Sequence, residues 1–285
     1  MTLISDVEIG SGFPKIMGIL NVSPESFYKN SIKLNYDEIS RFAKKIENDG
    51  ADLIDIGAMS TAPYLKTLIS SEEEISRIKV AIKAVKNNSN LPISIDTPRA
   101  SVAEVAIQMG VDAINDVCGL KYDPKMSQVI SKSNLPTIIG AYSNLDYDIP
   151  GTIISTKRIL KNSISIALNA GIKTNKIIVD PSIGFFRNHG QNPFFTLSNL
   201  SWYLRDIDIL YNLRKLKILK SPICISVSRK SFIGKLFNLE TEDRLIPSIV
   251  SEIISIINGA SLVRTHDVKE TSLAITTASL IRDIA

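Results

Sequence analysis

Eight short apolar runs recur along the chain, at residues 16–20, 53–56, 93–95, 113–114, 137–139, 177–179, 223–226 and 262–263, and each leads into a longer stretch with helical spacing. That spacing predicts helices over 37–49, 72–86, 100–109, 124–132, 155–170, 197–216, 241–258 and 269–281. Runs this apolar are stable as strands only if both faces are covered, as in a parallel sheet wrapped by helices. Eight strand and helix repeats in 285 residues match one closed (β/α)8 TIM barrel occupying the whole chain, 1–285. An open doubly wound sheet is the alternative. It is disfavoured because no glycine-rich fingerprint comes after the first run, where Asn21, Val22, Ser23, Pro24 and Glu25 stand instead.

Composition narrows the class. The net charge of +4, from 33 basic and 29 acidic residues, is spread along the predicted helices. The densest basic stretch, 214–220, alternates with leucine and isoleucine, as the solvated side of a helix does, so no nucleic-acid partner is expected. No uninterrupted apolar stretch reaches the ~18 residues of a membrane span. The opening residues carry Asp6 and Glu8, without a basic segment leading into an apolar one, so neither export nor membrane association is expected and the location is expected to be cytoplasmic. Cys118 and Cys224 have no CxxC or Cys/His spacing and come after apolar runs, as buried free thiols in a reducing compartment do.

The residues that end the runs carry the chemistry. These are Asn21, Asp55, Asp96, Asn115 with Asp116, Asp180, Ser228 to Lys230, and Arg264 with His266; the fifth run alone ends in Gly140 and Ala141. Helix capping or turn formation accounts for any single one of these. It accounts poorly for seven, whereas in a barrel all strand ends open into one bowl at the C-terminal mouth, where the active site is expected. Asp96, Asn115 and Asp180 are acceptors suited to a flat heterocycle presenting several N–H groups, such as a guanine-like or pterin-like edge. Lys230, Arg264 and His266 add positive charge suited to a phosphate or diphosphate. Asn21 offers the hard oxygen that Mg²⁺ takes alongside water and substrate phosphates.

The segments Met17-Gly-Ile-Leu-Asn-Val-Ser-Pro-Glu-Ser-Phe27, Gly50-Ala-Asp-Leu-Ile-Asp-Ile-Gly57 with Ser60-Thr61, Ile93-Ser-Ile-Asp-Thr97, Ala113-Ile-Asn-Asp116, Asp180-Pro-Ser-Ile-Gly-Phe185, Ser228-Arg-Lys-Ser-Phe-Ile-Gly234 and Val263-Arg-Thr-His-Asp-Val-Lys-Glu-Thr271 resemble, in order, those of the dihydropteroate synthase family. The resemblance implies a transferase that joins p-aminobenzoate, or a related arylamine, to 6-hydroxymethyl-7,8-dihydropterin diphosphate and releases diphosphate, in folate biosynthesis. It implies that Asp96, Asn115, Asp180 and Lys230 bind the pterin. It further implies that Asn21, Thr61, Arg264 and His266 hold the diphosphate, with Mg²⁺ at Asn21, and that Asp96, Lys230, Arg264 and His266 act in catalysis. Loops 23–35 and 59–71 would close over the site. Helices over 248–260 and 274–281, apolar and rich in small residues, suit a homodimer interface, as the resemblance also suggests, or the inner faces of a barrel.

Departures from the family pattern lie on the amine side. After the second strand, Gly57-Ala-Met-Ser-Thr-Ala-Pro63 has Met59 and Ala62 where the family usually has Glu and Arg. Gly140-Ala-Tyr-Ser143 replaces a Met-His-Met stretch, and Gly184-Phe-Phe-Arg187 a Gly-Phe-Gly-Lys stretch. Arg187 and Lys66 are the candidates to supply the missing charge. Two alternatives to the synthase stand at this point: a pterin-binding methyltransferase, and a pterin binder without turnover.

Overall fold

The structure is a computed structural model that describes residues 1–24, 35–144 and 152–284. Loop 23–35, expected to fold over the site, lies almost wholly outside the described residues.

A short antiparallel hairpin, β1 (Thr2–Ile4) and β2 (Val7–Ile9), comes first; the apolar pattern gives no sign of it, because three-residue strands leave almost no periodic signal. The barrel strands come next: β3 (Lys15–Asn21), β4 (Leu53–Gly57), β5 (Ile93–Asp96), β6 (Ala113–Asp116), β7 (Thr137–Gly140) and β8 (Ile177–Asp180). Two further strands, β11 (Cys224–Ile225) and β12 (Leu262–Thr265), complete the ring. They form one parallel sheet in the order β11, β12, β3, β4, β5, β6, β7, β8. The ring closes through a single bridge between Val179 and Ile223. This is the expected (β/α)8 barrel, with a thin seam between β8 and β11.

Helices α1 (Tyr36–Asn48), α2 (Ser71–Asn88), α3 (Ala100–Gln108), α4 (Met126–Ser133) and α5 (Ile153–Asn169) come after the first five barrel strands, close to where the spacing puts them. Side-chain caps set two of their starts: Asn35 accepts from the Glu38 amide at 2.9 Å, and Ser70 from the Glu73 amide at 3.1 Å, the latter with the Ser-x-x-Glu spacing of a capping box. Past β8 the expectation is only partly met. A parallel pair of two-residue strands, β9 (Phe186–Arg187) and β10 (Thr196–Leu197), interrupts the connection. Helix α6 therefore spans only Trp202–Asn212, and Leu213–Leu219 tightens into a 3-10 turn. Helix α7 (Ser231–Phe237) is too short for a periodic signal and is absent from the sequence-based expectation. After a 3-10 turn at Thr241–Arg244 come α8 (Leu245–Ile257) and α9 (Val268–Ile284).

The core has two parts. Strands and helices enclose the larger one, to which Ile54, Ile78, Ile95, Ile130 and Leu160 belong. The smaller lies inside the barrel, where Met17, Leu53, Ala113, Ile138, Ile178, Cys224 and Leu262 pack with Ile4 and Ile9 of the hairpin, which plugs the N-terminal end. Both cysteines are buried free thiols.

Candidate active site

Strand residues two apart share a face, so the inward apolar layer dictates what stands above it. Met17 leads through Ile19 to Asn21, Leu53 to Asp55, Ala113 to Asn115, Ile178 to Asp180, Cys224 to Ser226, and Leu262 through Arg264 to His266. Asn21, Asp96, Asn115, Asp180, Lys230, Arg264 and His266 line one pocket at the C-terminal mouth, together with Thr61 from the loop after β4.

Arg264 organises one side. Its Nε donates to Asp55 Oδ2 at 2.6 Å and its Nη2 to Asp96 Oδ2 at 2.8 Å, while Asn115 Nδ2 donates to the same Asp55 oxygen at 3.1 Å. Asp55 is fully buried. Asp96 Oδ1, also buried, accepts no hydrogen bond from the described residues. Burial raises the Asp96 carboxyl to about 7, against the pull of Arg264 and with the repulsion of Asp55 behind it. Burial likewise raises Asp180, whose Oδ1 accepts from the Ser182 amide at 2.6 Å. Asp116 is different. Its two oxygens accept the amides of Cys118 and Leu120 at 2.8 and 2.7 Å, so this carboxylate builds the turn after β6 and does not line the pocket.

Lys230 reaches in from the loop after β11, its ammonium 4.3 Å from the centre of the Phe185 ring. Burial, with Arg264 adding to it, brings it down to about 8. Gly184 makes room: it has φ +85°, and a side chain there would come within 3.2 Å of Lys230 Cδ. Next to Lys230, Arg229 holds a left-handed backbone (φ +53°) and pairs with Asp267 through both Nε and Nη2, at 2.9 and 2.8 Å. That pair ties the loop carrying Lys230 to the strand end carrying Arg264 and His266. The sequence-based expectation of a cationic His266 is not met. Burial, reinforced by Arg264, Arg229 and Lys230, holds its imidazole well below the usual value, so it faces the pocket uncharged.

The loops after β4, β7 and β8 interlock at the rim. Asn192 Nδ2 donates to the Ala62 carbonyl at 2.7 Å, the Gln191 amide to the Pro63 carbonyl at 2.7 Å, and the Tyr142 hydroxyl to the Pro193 carbonyl at 3.1 Å. Beneath them Arg99 bridges Glu74 and the Ile69 carbonyl, at 2.8 and 2.7 Å.

The pterin-binding enzyme family matches residues 17–266. The dihydropteroate synthase of Clostridium beijerinckii is 38% identical over 93% of this chain and 93% of its own, and that of Bacillus subtilis 33% over 90% and 84%. The chain belongs to the pterin-binding enzymes, among the dihydropteroate synthases. Like other members it is a transferase. A crystal structure of the Clostridium difficile synthase, in the presence of pteroic acid, aligns with a TM-score of 0.82 at 37% identity, covering 96% of this chain and 98% of that one. A Xanthomonas albilineans synthase with 4-aminobenzoic acid aligns at 0.80 and 29% identity over 95% and 93%.

Every residue singled out for this synthase site from the sequence lines the pocket, but neither candidate substitute for the missing arginine does. Arg187 lies behind the wall, and Lys66 is outside the lining. Asp55, visible in the sequence only as one more polar strand end, proves to be the shared anchor of Arg264 and Asn115. Phe185 and Ser231, which lie inside the motifs, and Tyr64, next to Pro63, also line the pocket and are not among the site residues the sequence singles out. Among the described residues no three His, Cys, Asp or Glu side chains gather to cage a metal. Asn21 supplies a single amide oxygen at the pocket wall, which fits Mg²⁺ only where substrate phosphates and water complete the shell. No helix among the described residues is long and apolar enough to cross a membrane.

Proposed function

We propose that this chain condenses 6-hydroxymethyl-7,8-dihydropterin diphosphate with p-aminobenzoate, giving 7,8-dihydropteroate and diphosphate. The observation that carries this is the convergence of three acceptor-bearing side chains, Asp96, Asn115 and Asp180, with Lys230, Arg264 and His266 around one pocket. Asp96 pairs with Arg264 through Oδ2 and Asp180 accepts the Ser182 amide through Oδ1, while Asp96 Oδ1 accepts no hydrogen bond from the described residues; the amino and ring N–H groups of a pterin edge are donors suited to the remaining acceptor positions.

The chemistry is set by where charge develops. The bond from the exocyclic carbon to the diphosphate oxygen breaks, the electron pair leaving with diphosphate beside Arg264 and the His266 imidazole, which donates an N–H. Asn21 and Thr61 stand on the same wall. Mg²⁺, held by Asn21, would neutralise phosphate charge there. The carbon left behind is cationic, and the carboxylate of Asp96 stabilises it electrostatically, the kind of preorganised effect that dominates many enzymes. The arylamine nitrogen then donates its lone pair to that carbon and passes a proton to the released diphosphate or to water as the C–N bond completes. Lys230 spans the pterin and the incoming amine. The site would work in the cytoplasm and in a homodimer: Ile246, Val250, Ile254 and Ile257 expose an apolar stripe along α8, flanked by Leu273 and Leu280 of α9, and a second copy of the chain fits that face.

The test is diphosphate release from the pterin diphosphate with Mg²⁺ present. Release that depends on p-aminobenzoate is expected. Methyl transfer from a methylated pterin, or pterin binding with no turnover, would each overturn the proposal. Asp180→Asn, which places a donor against a donor, should weaken pterin binding by about 2 to 4 kcal/mol.

A further inference from the structure

Behind the rim of the pocket Arg187 is buried without a counter-ion of its own. Its Nη1 donates to the Phe186 carbonyl at 3.1 Å, its guanidinium lies 3.8 Å from the centre of the Trp202 ring, and its Nη2 donates to Ser231 Oγ at 2.7 Å. Among the described residues no carboxylate lies within ion-pair distance of it; the nearby Asp206 is taken by Arg205 at 3.0 Å and by the Gly184 amide at 3.0 Å. A buried guanidinium held this way is stabilised by any anion brought close to it. Ser231 is what stands between it and the pocket, and Ser231 lines the pocket next to Lys230.

A serine hydroxyl has one proton and two lone pairs. With the guanidinium donating into one lone pair, the hydroxyl proton turns away from the cation, so Ser231 is fixed as a donor to the pocket. We propose that Arg187 is the specificity-determining residue for the second substrate: acting through Ser231, it makes the site select an arylamine whose far end carries a carboxylate or another anion. This rests on the synthase activity proposed above. Ala62, Pro63, Tyr64 and Phe185 line the same pocket without a charge, and Lys230, the cation beside Ser231, spans the pterin and the amine, so the far end of the amine is read through this relay.

The experiment compares kcat/KM for p-aminobenzoate and for p-toluidine, which replaces the carboxylate with a methyl group, both with pterin diphosphate and Mg²⁺. The readout is the ratio between the two amines, because a merely structural defect lowers both together. Arg187→Gln and Ser231→Ala should each reduce the ratio at least fivefold, and the double variant should lose no more than the worse single one, since the two act as a unit. Arg187→Lys keeps the charge but cannot hold both the Phe186 carbonyl and Ser231; it should retain more of the ratio than Arg187→Gln, and if Arg187→Gln does not fold, a loss of at least twofold in Arg187→Lys is expected in its place. A ratio that stays within these limits in the folded variants, or single losses that add in the double variant, would overturn the proposal while leaving the synthase reaction intact. Failure of the wild-type protein to release diphosphate with either amine would overturn both.

Discussion

Arg264 Nε and Asp55 Oδ2 meet at 2.6 Å, and the same carboxylate oxygen accepts the Asn115 amide at 3.1 Å. One buried oxygen thus aims residues on two strands. Because Asn115 spends its NH2 group on Asp55, its amide is fixed in one of two orientations and turns its carbonyl, an acceptor, elsewhere. Arg264 is held between Asp55 and Asp96, so in the proposed reaction it needs little reorganisation when diphosphate charge develops.

Asp55→Asn removes the charge and keeps the shape. Breaking a buried ion pair by neutralising one partner costs about 3 kcal/mol, here lessened by the surviving contact to Asp96. Pterin affinity should fall at least tenfold, since both Asn115 and Arg264 lose their anchor. Urea unfolding together with calorimetric titration of the pterin checks both. Wild-type values in the two measurements would mean that Asp55 orients nothing.

The proposed reaction needs Asp96 ionised and Lys230 protonated. Burial, with the Asp55 charge behind it, raises Asp96 to about 7, and burial with Arg264 lowers Lys230 to about 8. kcat/KM for the pterin diphosphate should therefore rise with pH through about 7 and fall again above about 8, a narrow bell. In Lys230→Arg the alkaline limb should disappear while the acid limb stays. An alkaline limb unchanged in that variant would assign it to another group.

Glu252 of α8 is fully buried against α9 and β12, accepts from Thr271 Oγ1 at 2.8 Å, and has its carboxyl pushed by burial to about 8. Its pKa is raised in the folded state, so the stability it contributes is fully present below the ordinary carboxyl range and is lost progressively as pH rises to about 8. The full effect is on the order of 5 kcal/mol. Glu252→Gln should remove most of that slope, giving urea midpoints that differ less between about pH 5 and about pH 8.5 than those of the wild type. Equal slopes in the two proteins would place Glu252 in an environment that does not penalise its charge.

Barrel and bowl are both legible in the chain because the signals behind them are local. A buried parallel strand needs a short run of consecutive apolar residues, the helix after it needs a 3.6-residue period, and a polar residue two places above an inward apolar one must face the mouth, as Asn115 above Ala113 and Asp180 above Ile178 do. Where the local signal is too short it fails, at the hairpin of β1 and β2, at β9 and β10, and at α7.

Alternation along each strand therefore settles, with no knowledge of the fold's third dimension, which residues stand at the strand ends and which way they face. How those residues act on one another is a matter of tertiary contact, because the relationships join positions far apart in the chain and depend on burial. Arg264 finds Asp55 across 209 residues and Arg187 finds Ser231 across 44. The imidazole of His266 is held uncharged by burial and by the nearby Arg264, Arg229 and Lys230, and Asp116, one residue from Asn115, is drawn off to close a turn. Direction is encoded two residues at a time, but protonation and partnership arise from distance and solvent exclusion, which exist only once the ring has closed.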